Sequence, residues 1–467
     1  MGYQLTEEQE EIVKLVKELC SNEILKINAF AGTGKTSTLI AIAQALPHKR
    51  FLYLAFNSSI VEESKKKFPK NVTILTTHSL AYRRIVSSLG ATVQNLDYKP
   101  IDLANWYTID YSLACEALMV LNAFLSSNKR KLNPKSSAAH EIAYKVYLEM
   151  VNGTRYMTHS FYLKQYQLIE DKQLPNYDYV LLDEGQDTND VTLDIFLNID
   201  AAKIIVGDTH QSIYAWRGAE NAMDKVESDF NLYLTKTFRC APNIVERANF
   251  ILNHYKGEKI PIISACVQKP QDETYAVITR TNAKMIENLA EFDDDYKLLK
   301  HPESIFATAL SLHHWISGEW EKITRPEFEY LKDFRNKTSL EKYIEETNSL
   351  ELKSSLSIAQ RYKKGLYSLY KKASIAFKGP RDENGNPLKD VQDDRIVLVT
   401  AHASKGLEFD RVDLENDFPY LPKIYLDIKD TAKDIIEEAN IYYVATTRAK
   451  FFINDSSKNQ ELFDEEI

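Results

Sequence analysis

The feature that most constrains this chain is the glycine-rich segment AFAGTGKT at residues 29–36. It follows the apolar, strand-like run EILKIN (23–28) and precedes a helical pattern over residues 37–46. A strand, a glycine loop and a helix in this order form the setting of a P-loop, whose backbone amides surround phosphate groups. We therefore expect a nucleoside triphosphate to bind here. The residues expected to hold it are Ala31, Gly32, Thr33, Gly34, Lys35, Thr36 and Ser37.

The residue types in the loop fit the chemistry of a bound triphosphate. Gly32 and Gly34 let backbone amides turn toward phosphate oxygens, and Lys35 can reach the β- and γ-phosphates. The hydroxyl group of Thr36 can ligate Mg²⁺. The strict pattern GxxxxGK[ST] begins with glycine, whereas this loop begins with Ala29, which removes one flexible position and leaves the phosphate-binding part intact. A glycine loop that arose by chance is the alternative.

A second motif, YVLLDEGQD at residues 179–187, ends an apolar run with two adjacent carboxylates, Asp183 and Glu184. In a parallel sheet the carboxyl ends of the strands meet at one edge, where ligands bind. Asp183 would hold Mg²⁺, directly or through water, and Glu184 would orient and deprotonate the attacking water. An acidic pair after a strand is by itself more often a solvated turn, so this interpretation depends on the P-loop in the same chain.

Short apolar runs alternate with helical patterns in two regions, which is typical of parallel α/β sheets. The runs are 23–28, 51–56, 179–182 and 203–206 in the first region, and 275–279, 395–400, 411–414 and 451–454 in the second. A further helix is predicted over residues 437–450. The predicted fold class is α/β, with two parallel-sheet P-loop cores that each carry an inserted, mainly helical subdomain. The expected boundaries are 1–84 and 166–240 for the first core, 85–165 for its insertion, 241–299 and 395–467 for the second core, and 300–394 for its insertion.

Composition argues against several classes of protein. A length of 467 residues suggests about three structural units, more than one core holds together easily. No apolar run approaches the ~20 residues of a membrane span, and the acidic N-terminus lacks the features of a secretory signal. The four cysteines are scattered without a CxxC pair, so neither a disulfide framework nor a zinc site is indicated. We expect a soluble, cytoplasmic, multi-domain protein.

Charge bears on the choice of partner. The chain has 58 Lys and Arg residues against 67 Asp and Glu residues, a net charge of -9, which argues against a surface that is basic all over. Attraction depends on the local potential more than on the total charge. Nucleic acid would therefore enter a local track of aromatic residues and a few cations.

The segment KIIVGDTHQSIYAWRGA at residues 203–219 resembles motif III of the UvrD/Rep class of superfamily 1 helicases. Segments similar to the other motifs of this class occur in family order: QLTEEQ (4–9), LAFNSSIVEE (54–63), TTHSLAY (76–82), LTKTFRCAPNI (234–244), VITRTNA (277–283), VTAHASKGLEFDRV (399–412) and EEANIYYVATTRAK (437–450). Within the class, MTHSFYLKQYQL (157–168) is most similar to the helicase portion of F-box DNA helicases, although we expect no F-box ahead of Ala29. The form DEGQD differs from the commoner DEFQD and DEAQD at Gly185.

The resemblance implies two RecA-like cores and an ATP-dependent DNA helicase or translocase, with Mg²⁺ and 3'→5' travel on single-stranded DNA. Its substrates would be single strands and junctions with duplex DNA, in repair, replication, recombination or defence. It also implies that Gln9 reads the adenine edge, Phe238 stacks on the base and Glu408 bonds the ribose. The implied γ-phosphate contacts are Gln211, Arg239 and Arg448. Guanidinium groups suit this position because charge spreads over the phosphoryl oxygens in the transition state. ATP would then lie between the two cores, and hydrolysis would drive a hinge motion.

The resemblance also implies a track for unpaired bases. Phe56, Tyr214 and Trp216 can stack on bases of any sequence. The other implied DNA contacts are Asn57, Thr77, His78, Arg217, His402 and Lys405. An isolated aromatic residue in such a chain is more often part of the core. Structural histidines and a solvated lysine remain alternatives for the two histidines and Lys405.

Two other functions are open on the sequence alone. The chain could be a DNA-stimulated ATPase subunit that gates a partner, such as a nuclease, without unwinding by itself. A small-molecule kinase with a P-loop is the other alternative, but it leaves the WRGA, HASKGLEF and VATTRA segments unexplained.

Overall fold

A computed structural model gives the fold of the chain. It describes residues 4–87, 93–94, 97–170, 172, 174–214, 221–267, 274–291, 296–346, 349–378, 395–426 and 432–464. The chain forms two compact units, Met1–Thr237 and Phe238–Ile467. The finer division into cores and insertions stays a prediction.

The first unit contains a six-stranded sheet in which every described strand pair is parallel, with strand order β3-β2-β4-β5-β1-β6. Its strands are β1 (Ile24–Ala29), β2 (Phe51–Ala55), β3 (Val72–Thr76), β4 (Tyr179–Leu182), β5 (Ala202–Gly207) and β6 (Phe230–Leu234), and a two-residue strand β7 (Lys236–Thr237) follows. The four strands predicted for this region are confirmed to within two residues. Strands β3 and β6 were not predicted; they lie at the two edges of the sheet, and each has a single buried residue.

Ten helices surround this sheet among the residues described. They are α1 (Glu7–Val16), α2 (Lys35–Ala45), α3 (Ser58–Lys67), α4 (Thr77–Ala81), α5 (Pro100–Tyr107), α6 (Tyr111–Ser126), α7 (Ala138–Val151), α8 (His159–Leu168), α9 (Asp190–Leu197) and α10 (Ala222–Lys225). The chain continues from α4 into a π-helical turn at Tyr82–Val86. Asp110, Ser137 and Thr158 cap α6, α7 and α8 by accepting a backbone N–H bond, as these residue types favour.

Both faces of the first sheet are buried, because alternate residues of each central strand enter different apolar clusters. Leu52 and Leu54 of β2 pack on one face in a cluster that also contains Phe161 of α8. Phe51 and Tyr53 of the same strand pack on the other face. The helices α5–α8 therefore share a continuous core with the sheet.

The second unit contains a five-stranded parallel sheet with strand order β10-β11-β9-β12-β13. The strands of this sheet are β9 (Tyr275–Thr279), β10 (Lys297–Leu298), β11 (Val397–Thr400), β12 (Phe409–Leu414) and β13 (Ala449–Asp455). A two-residue strand, β8 (Ile263–Ser264), precedes them in the chain and lies outside the sheet. The four strands predicted for this region are present. The α/β class with parallel sheets is thereby confirmed.

The helices of the second unit are α11 (Pro242–Lys256), α12 (Asn282–Glu291), α13 (Pro302–Ile316), α14 (Lys337–Glu346), α15 (Leu350–Tyr362), α16 (Gly365–Lys378), α17 (Ala401–Ser404), α18 (Leu421–Leu426), α19 (Ala432–Thr446) and α20 (Glu461–Asp464). Short 3₁₀ turns lie at Trp320–Lys322 and Pro326–Asp333. The predicted helix 437–450 is wrong over its last four residues. The chain turns at Thr447 and enters β13 at Ala449, and the Arg448 side chain bonds backward to a helix carbonyl. None of the helices in the described parts of the chain has the length and apolar run needed to cross a membrane.

Candidate functional site

The P-loop connects the end of β1 to the start of α2. Gly32 and Gly34 adopt left-handed backbone angles, with φ of 72° and 84°, which side-chain-bearing residues resist. Gly34 precedes the first helical residue, Lys35, and the first turn of α2 contains no acidic residue. The Thr33 hydroxyl donates to the Phe30 carbonyl at 2.8 Å and thereby closes the loop. The helix N-terminus therefore presents backbone N–H groups without a competing carboxylate, which suits a phosphate.

The remaining predicted residues of the loop differ in their exposure to solvent. Ala31 is buried, Lys35 and Thr36 are partly buried, and Ser37 is exposed. The positive charge of Lys35 acts on Asp183, since it is among the causes that lower the pKa of that carboxyl group. The P-loop and the predicted carboxylate are therefore neighbours in the structure.

Gln9 lies against the P-loop. Its Nε2 atom donates to Thr38 Oγ1 of α2 at 3.0 Å, and a side chain built on Gly34 would come within 3.2 Å of that Nε2 atom. The backbone amide of Gln9 donates to Thr6 Oγ1, and the Thr6 amide donates to Gln9 Oε1, which together form a capping box at the start of α1. The capping box thus fixes the Gln9 side chain beside the loop. Its role with adenine stays a prediction.

Asp183 follows β4 and is buried. Its Oδ2 atom accepts a hydrogen bond from the Tyr53 hydroxyl at 2.6 Å, and its Oδ1 atom accepts one from the Glu184 amide at 2.9 Å. Burial and then the negative charge of Glu184 raise the pKa of Asp183 to about 6, against the opposing effects of Tyr53 and Lys35. The protein therefore holds a carboxylate in a place that disfavours its charge, which a bound cation would relieve.

Tyr53 was not predicted from the sequence. It lies on β2, next to β4 in the sheet, and its ring is fully buried. The available signal was a hydroxyl-bearing residue inside the otherwise apolar run FLYLAF, because a buried hydroxyl needs a hydrogen-bond partner.

Glu184 has a left-handed backbone with φ of 52°, which is unusual for a residue with a side chain. Its Oε2 atom accepts a hydrogen bond from Gln186 Nε2 at 2.5 Å. Gln186 is fully buried, and its Oε1 atom accepts a bond from the backbone amide of Asp208, after β5, at 3.0 Å. One missed residue, Gln186, therefore positions Glu184 and ties two strand ends together.

Gln211 belongs to the same network. Its Nε2 atom donates to Asp208 Oδ2 at 2.8 Å, and Asp208 Oδ1 accepts from the His210 amide at 3.1 Å. The His210 ring stacks on Phe30 of the P-loop with 5.8 Å between ring centroids and 3° between the ring planes. The roles of Phe30, Asp208 and His210 were not predicted from the sequence. These contacts join the P-loop directly to the segment that carries Gln211.

Gly185 lies in a space without room for a side chain. A Cβ atom at this position would approach Met223 Sδ to 2.8 Å and two side-chain atoms of Ile205 to 2.9 Å. The space that the third side chain of DEFQD or DEAQD would enter, at the position of Gly185, is therefore filled by Met223 and Ile205. This packing accounts for the departure from the commoner motif.

In the second unit the structure brings Arg239 and Glu408 together. Arg239 Nε donates to Glu408 Oε2 at 2.8 Å, and Lys450 Nζ lies 3.6 Å from Glu408 Oε1. The neighbouring Phe238 has 42% of its surface exposed, so its ring is accessible for stacking. The predicted nucleotide roles of these residues stay predictions.

Arg448 is almost entirely buried in the second unit. Its Nε atom donates to the Val444 carbonyl at 2.9 Å and an Nη atom donates to the Leu407 carbonyl at 3.0 Å. These bonds fix the guanidinium group against the segment that contains Glu408.

Two of the predicted base-stacking residues contact each other. The rings of Phe56 and Tyr214 stack with centroids 6.4 Å apart and 16° between their planes, and 45% of the Phe56 surface is exposed. We call this pair the aromatic platform. Trp216 and Arg217 lie outside the described residues. Asn57 accepts the Ile60 amide at 2.9 Å and caps α3, so it has a structural role whether or not it contacts DNA.

His78 belongs to a cluster of rings near the start of α4. Its ring centroid lies 6.2 Å from that of His159 and 5.9 Å from that of Tyr162, which also contacts Tyr82. Desolvation of the ring, and then the charge of His159, lower the pKa of His78 to about 4, although the residue as a whole is exposed. His78 is therefore neutral at pH 7. Thr77 beside it is buried.

His402 and Lys405 lie in the second unit, on and just after the short helix α17. Both are partly buried. Thr400 begins this helix by accepting the Ala403 amide, and Gly406 turns the chain with φ of 87°. Their DNA contacts stay predictions.

Three family models match parts of the chain. The models described as UvrD/REP helicase N-terminal domain and UvrD-like helicase C-terminal domain match residues 139–231 and 283–454, and the model described as type III restriction enzyme, res subunit, matches residues 2–94. The chain is 31% identical to F-box DNA helicase protein 1 of Schizosaccharomyces pombe over 97% of the chain and 57% of that protein. It is 28% identical to F-box DNA helicase 1 of Gallus gallus over 96% of the chain and 48% of that protein. Gabija protein GajB of Bacillus cereus is 25% identical over 48% of the chain and 45% of that protein. The chain thus spans about half the length of the F-box DNA helicases it matches.

The enclosure of Gly185 can be tested by double substitution. Gly185→Ala should lower the free energy of unfolding by about 1–3 kcal/mol, because the added methyl group overpacks the site. Met223→Ala alone should lower it by about 2–5 kcal/mol by leaving a cavity. The double variant should lose less than the sum of the two, since each change relieves the other. Urea denaturation measures all three values, and strict additivity would contradict the described packing.

Because Asp183 is buried, replacing it with a neutral residue should stabilise the protein, and the gain should depend on pH. Its folded pKa of about 6 lies above the ordinary value of 3.8, so ionisation lowers stability as the pH rises from about 4 to about 6. In metal-free solution, Asp183→Asn should therefore raise the free energy of unfolding at pH 8 by about 1–3 kcal/mol. The gain should vanish near pH 3 and below, where Asp183 is largely protonated in both states. Denaturant titrations at the two pH values measure this difference, and an equal gain at both would refute it.

Proposed function

The chain belongs to the UvrD-like helicases, and on that basis we propose that it is an ATP-dependent DNA helicase or translocase that moves 3'→5' along single-stranded DNA. The observation that supports this most strongly is the connected site in the first unit. Gln186 holds Glu184 at the end of β4 and bonds to Asp208 at the end of β5, while His210 stacks on the P-loop residue Phe30. A phosphoryl-transfer site needs this combination of a phosphate cradle, a metal-binding carboxylate and a positioned base.

The residues present suit Mg²⁺ with ATP. Thr36 and Asp183 supply oxygen ligands of the kind that Mg²⁺ prefers, and the raised pKa of Asp183 shows that its charge lacks full compensation within the protein. When bound, Mg²⁺ would neutralise charge on the β- and γ-phosphates. Lys35 would hold the same phosphates, and Glu184 would orient the attacking water and accept its proton. The bond from Gln186 fixes the carboxylate of Glu184 for that step.

The remaining nucleotide contacts follow the family. Gln211 would sense the γ-phosphate, and its bond to Asp208 gives it a defined orientation. Arg239 and Arg448 would stabilise the charge of the transition state. Gln9, Phe238 and Glu408 would bind the nucleoside.

The aromatic platform supports single-stranded DNA as the substrate. Phe56 and Tyr214 offer ring faces on which unpaired bases of any sequence can stack. Backbone contacts and stacking read no base edges, so sequence preference should be slight. The substrates proposed are therefore single strands and their junctions with duplex DNA.

Unwinding polarity tests the proposed function directly. Duplex DNA with a 3' single-stranded tail should be unwound with ATP and Mg²⁺, whereas duplex DNA with a 5' tail should not. Lys35→Ala should abolish ATP hydrolysis, and Glu184→Gln should retain ATP and DNA binding but lose turnover by at least about 100-fold, because the proton acceptor is gone.

The outcomes of that assay separate the alternatives. DNA-stimulated ATP hydrolysis without unwinding on either tail would favour a translocase, or a subunit that gates a partner. Normal turnover in Glu184→Gln would rule out the assigned base. Hydrolysis that does not respond to DNA would contradict the proposal as a whole.

The aromatic platform predicts a specific defect in DNA coupling. Phe56→Ala removes a stacking surface, so the concentration of single-stranded DNA that gives half-maximal ATPase stimulation should rise by about 5- to 160-fold, in line with ~1–3 kcal/mol per stacked base. Tyr425→Ala in the second unit, which also removes an exposed ring, is the matched control and should leave that concentration unchanged. Equal behaviour of the two variants would show that the platform does not bind bases.

A further inference from the structure

The loop between α6 and α7, residues 127–137, is unusually basic for this chain, and we call it the basic loop. It carries Lys129, Arg130, Lys131 and Lys135, all exposed. No Asp or Glu occurs between residues 117 and 140, although the whole chain has 67 such residues against 58 Lys and Arg. The loop is therefore a local region of positive charge on an acidic protein.

Side chains of α8 form hydrogen bonds to the backbone of the basic loop. Lys164 Nζ donates to the Ser127 carbonyl at 2.8 Å and also to the Lys129 carbonyl. Gln167 Nε2 donates to the Asn128 carbonyl between them at 3.0 Å. Three consecutive carbonyl groups thus bond to side chains beneath the loop. This anchoring gives the loop a defined shape.

Lys164 also adds charge beneath the loop. It is fully buried, and its Nζ atom lies 4.5 Å from the centroid of the Phe124 ring. Burial lowers its pKa to about 8, so most of its population is protonated at pH 7. Arg130 donates to the Leu168 carbonyl at 3.1 Å and so is tied to the same helix. The exposed lysines therefore lie on an anchored backbone, and Lys164 adds a further positive charge next to that backbone.

The basic loop borders a hollow of about 260 Å³. The polar residues that line this hollow are Lys129, Lys131, Asn133, Ser136 and His140. All five can donate hydrogen bonds, and none is acidic. Such a lining suits phosphate oxygens, which only accept hydrogen bonds.

We propose that the basic loop binds the sugar–phosphate backbone of duplex DNA. Residues 127–137 contain no aromatic residue, and Phe124, which also lines the hollow, is buried, so neither offers a ring on which an unpaired base could stack. Duplex DNA presents phosphates at high density while its bases are paired, and a set of cations on an anchored backbone matches that feature. This inference rests on the proposed function, because it assigns the loop to the duplex part of the same DNA substrate. The aromatic platform would hold the single strand.

Binding to blunt duplex DNA, which has no unpaired tail, isolates this contact from the aromatic platform. Fluorescence anisotropy with a labelled blunt duplex should be measured from about 50 to 200 mM salt for the unaltered chain and for Lys129→Ala/Lys131→Ala/Lys135→Ala. The triple variant should bind at least about tenfold more weakly at the lowest salt. Its slope of log affinity against log salt should be smaller by about three, one for each lost phosphate contact.

Two further variants make the result decisive. Replacement of the same three lysines by arginine should keep affinity and slope, because the charges remain. Lys65→Ala/Lys66→Ala/Lys70→Ala removes three exposed lysines elsewhere in the first unit and should leave the slope unchanged. Equal affinity and slope for the unaltered chain and the alanine variant of the basic loop would overturn the inference. ATP hydrolysis by the unaltered chain with single-stranded DNA tests the proposed function separately, so the two can fail independently.

Discussion

The common direction of the strands in the first sheet is the constraint on which the candidate site depends. Strands β1, β4 and β5 are parallel, so their carboxyl ends lie at one edge. The P-loop follows β1, Asp183 follows β4 and Asp208 follows β5. Side-chain contacts at that edge then join the three segments, with Gln186 between two of them and His210 stacked on the P-loop. A displacement of any one segment would therefore disturb its side-chain contacts to the others.

This site is built at a cost to the stability of the first unit. Asp183 is buried although its charge favours water, and Glu184 has a backbone conformation that few side-chain-bearing residues adopt. The compensation comes from strands that are apolar on both faces, such as β2, whose residues enter two separate clusters. The Tyr53 hydroxyl on that strand reaches Asp183, so one strand provides both core packing and a contact to the site. Function and stability compete at this edge of the sheet.

Charge is distributed unevenly over this acidic chain. Hydrogen bonds position two of its guanidinium groups, because Glu408 holds Arg239 and carbonyl groups of the second unit hold Arg448. In the basic loop, α8 anchors the backbone that carries the cations. Fixed cations bind an anion with a smaller loss of side-chain entropy than mobile ones. A net charge of -9 is therefore compatible with DNA as a partner, because the local arrangement matters more than the total.

The sequence by itself determined the P-loop, the Asp183–Glu184 pair and most central strands, because these depend on residue order within a few positions. It did not reveal Tyr53, whose partner Asp183 is 130 residues away, or the bond of Gln186 to Asp208 across 22 residues. The edge strands β3 and β6 were also missed, since partial exposure weakens their apolar pattern. Only the tertiary structure showed why Gly185 excludes a side chain, because Met223 and Ile205 reach it through the packing of distant segments. Local patterns fix elements and motifs, whereas contacts between distant residues depend on which strands become neighbours.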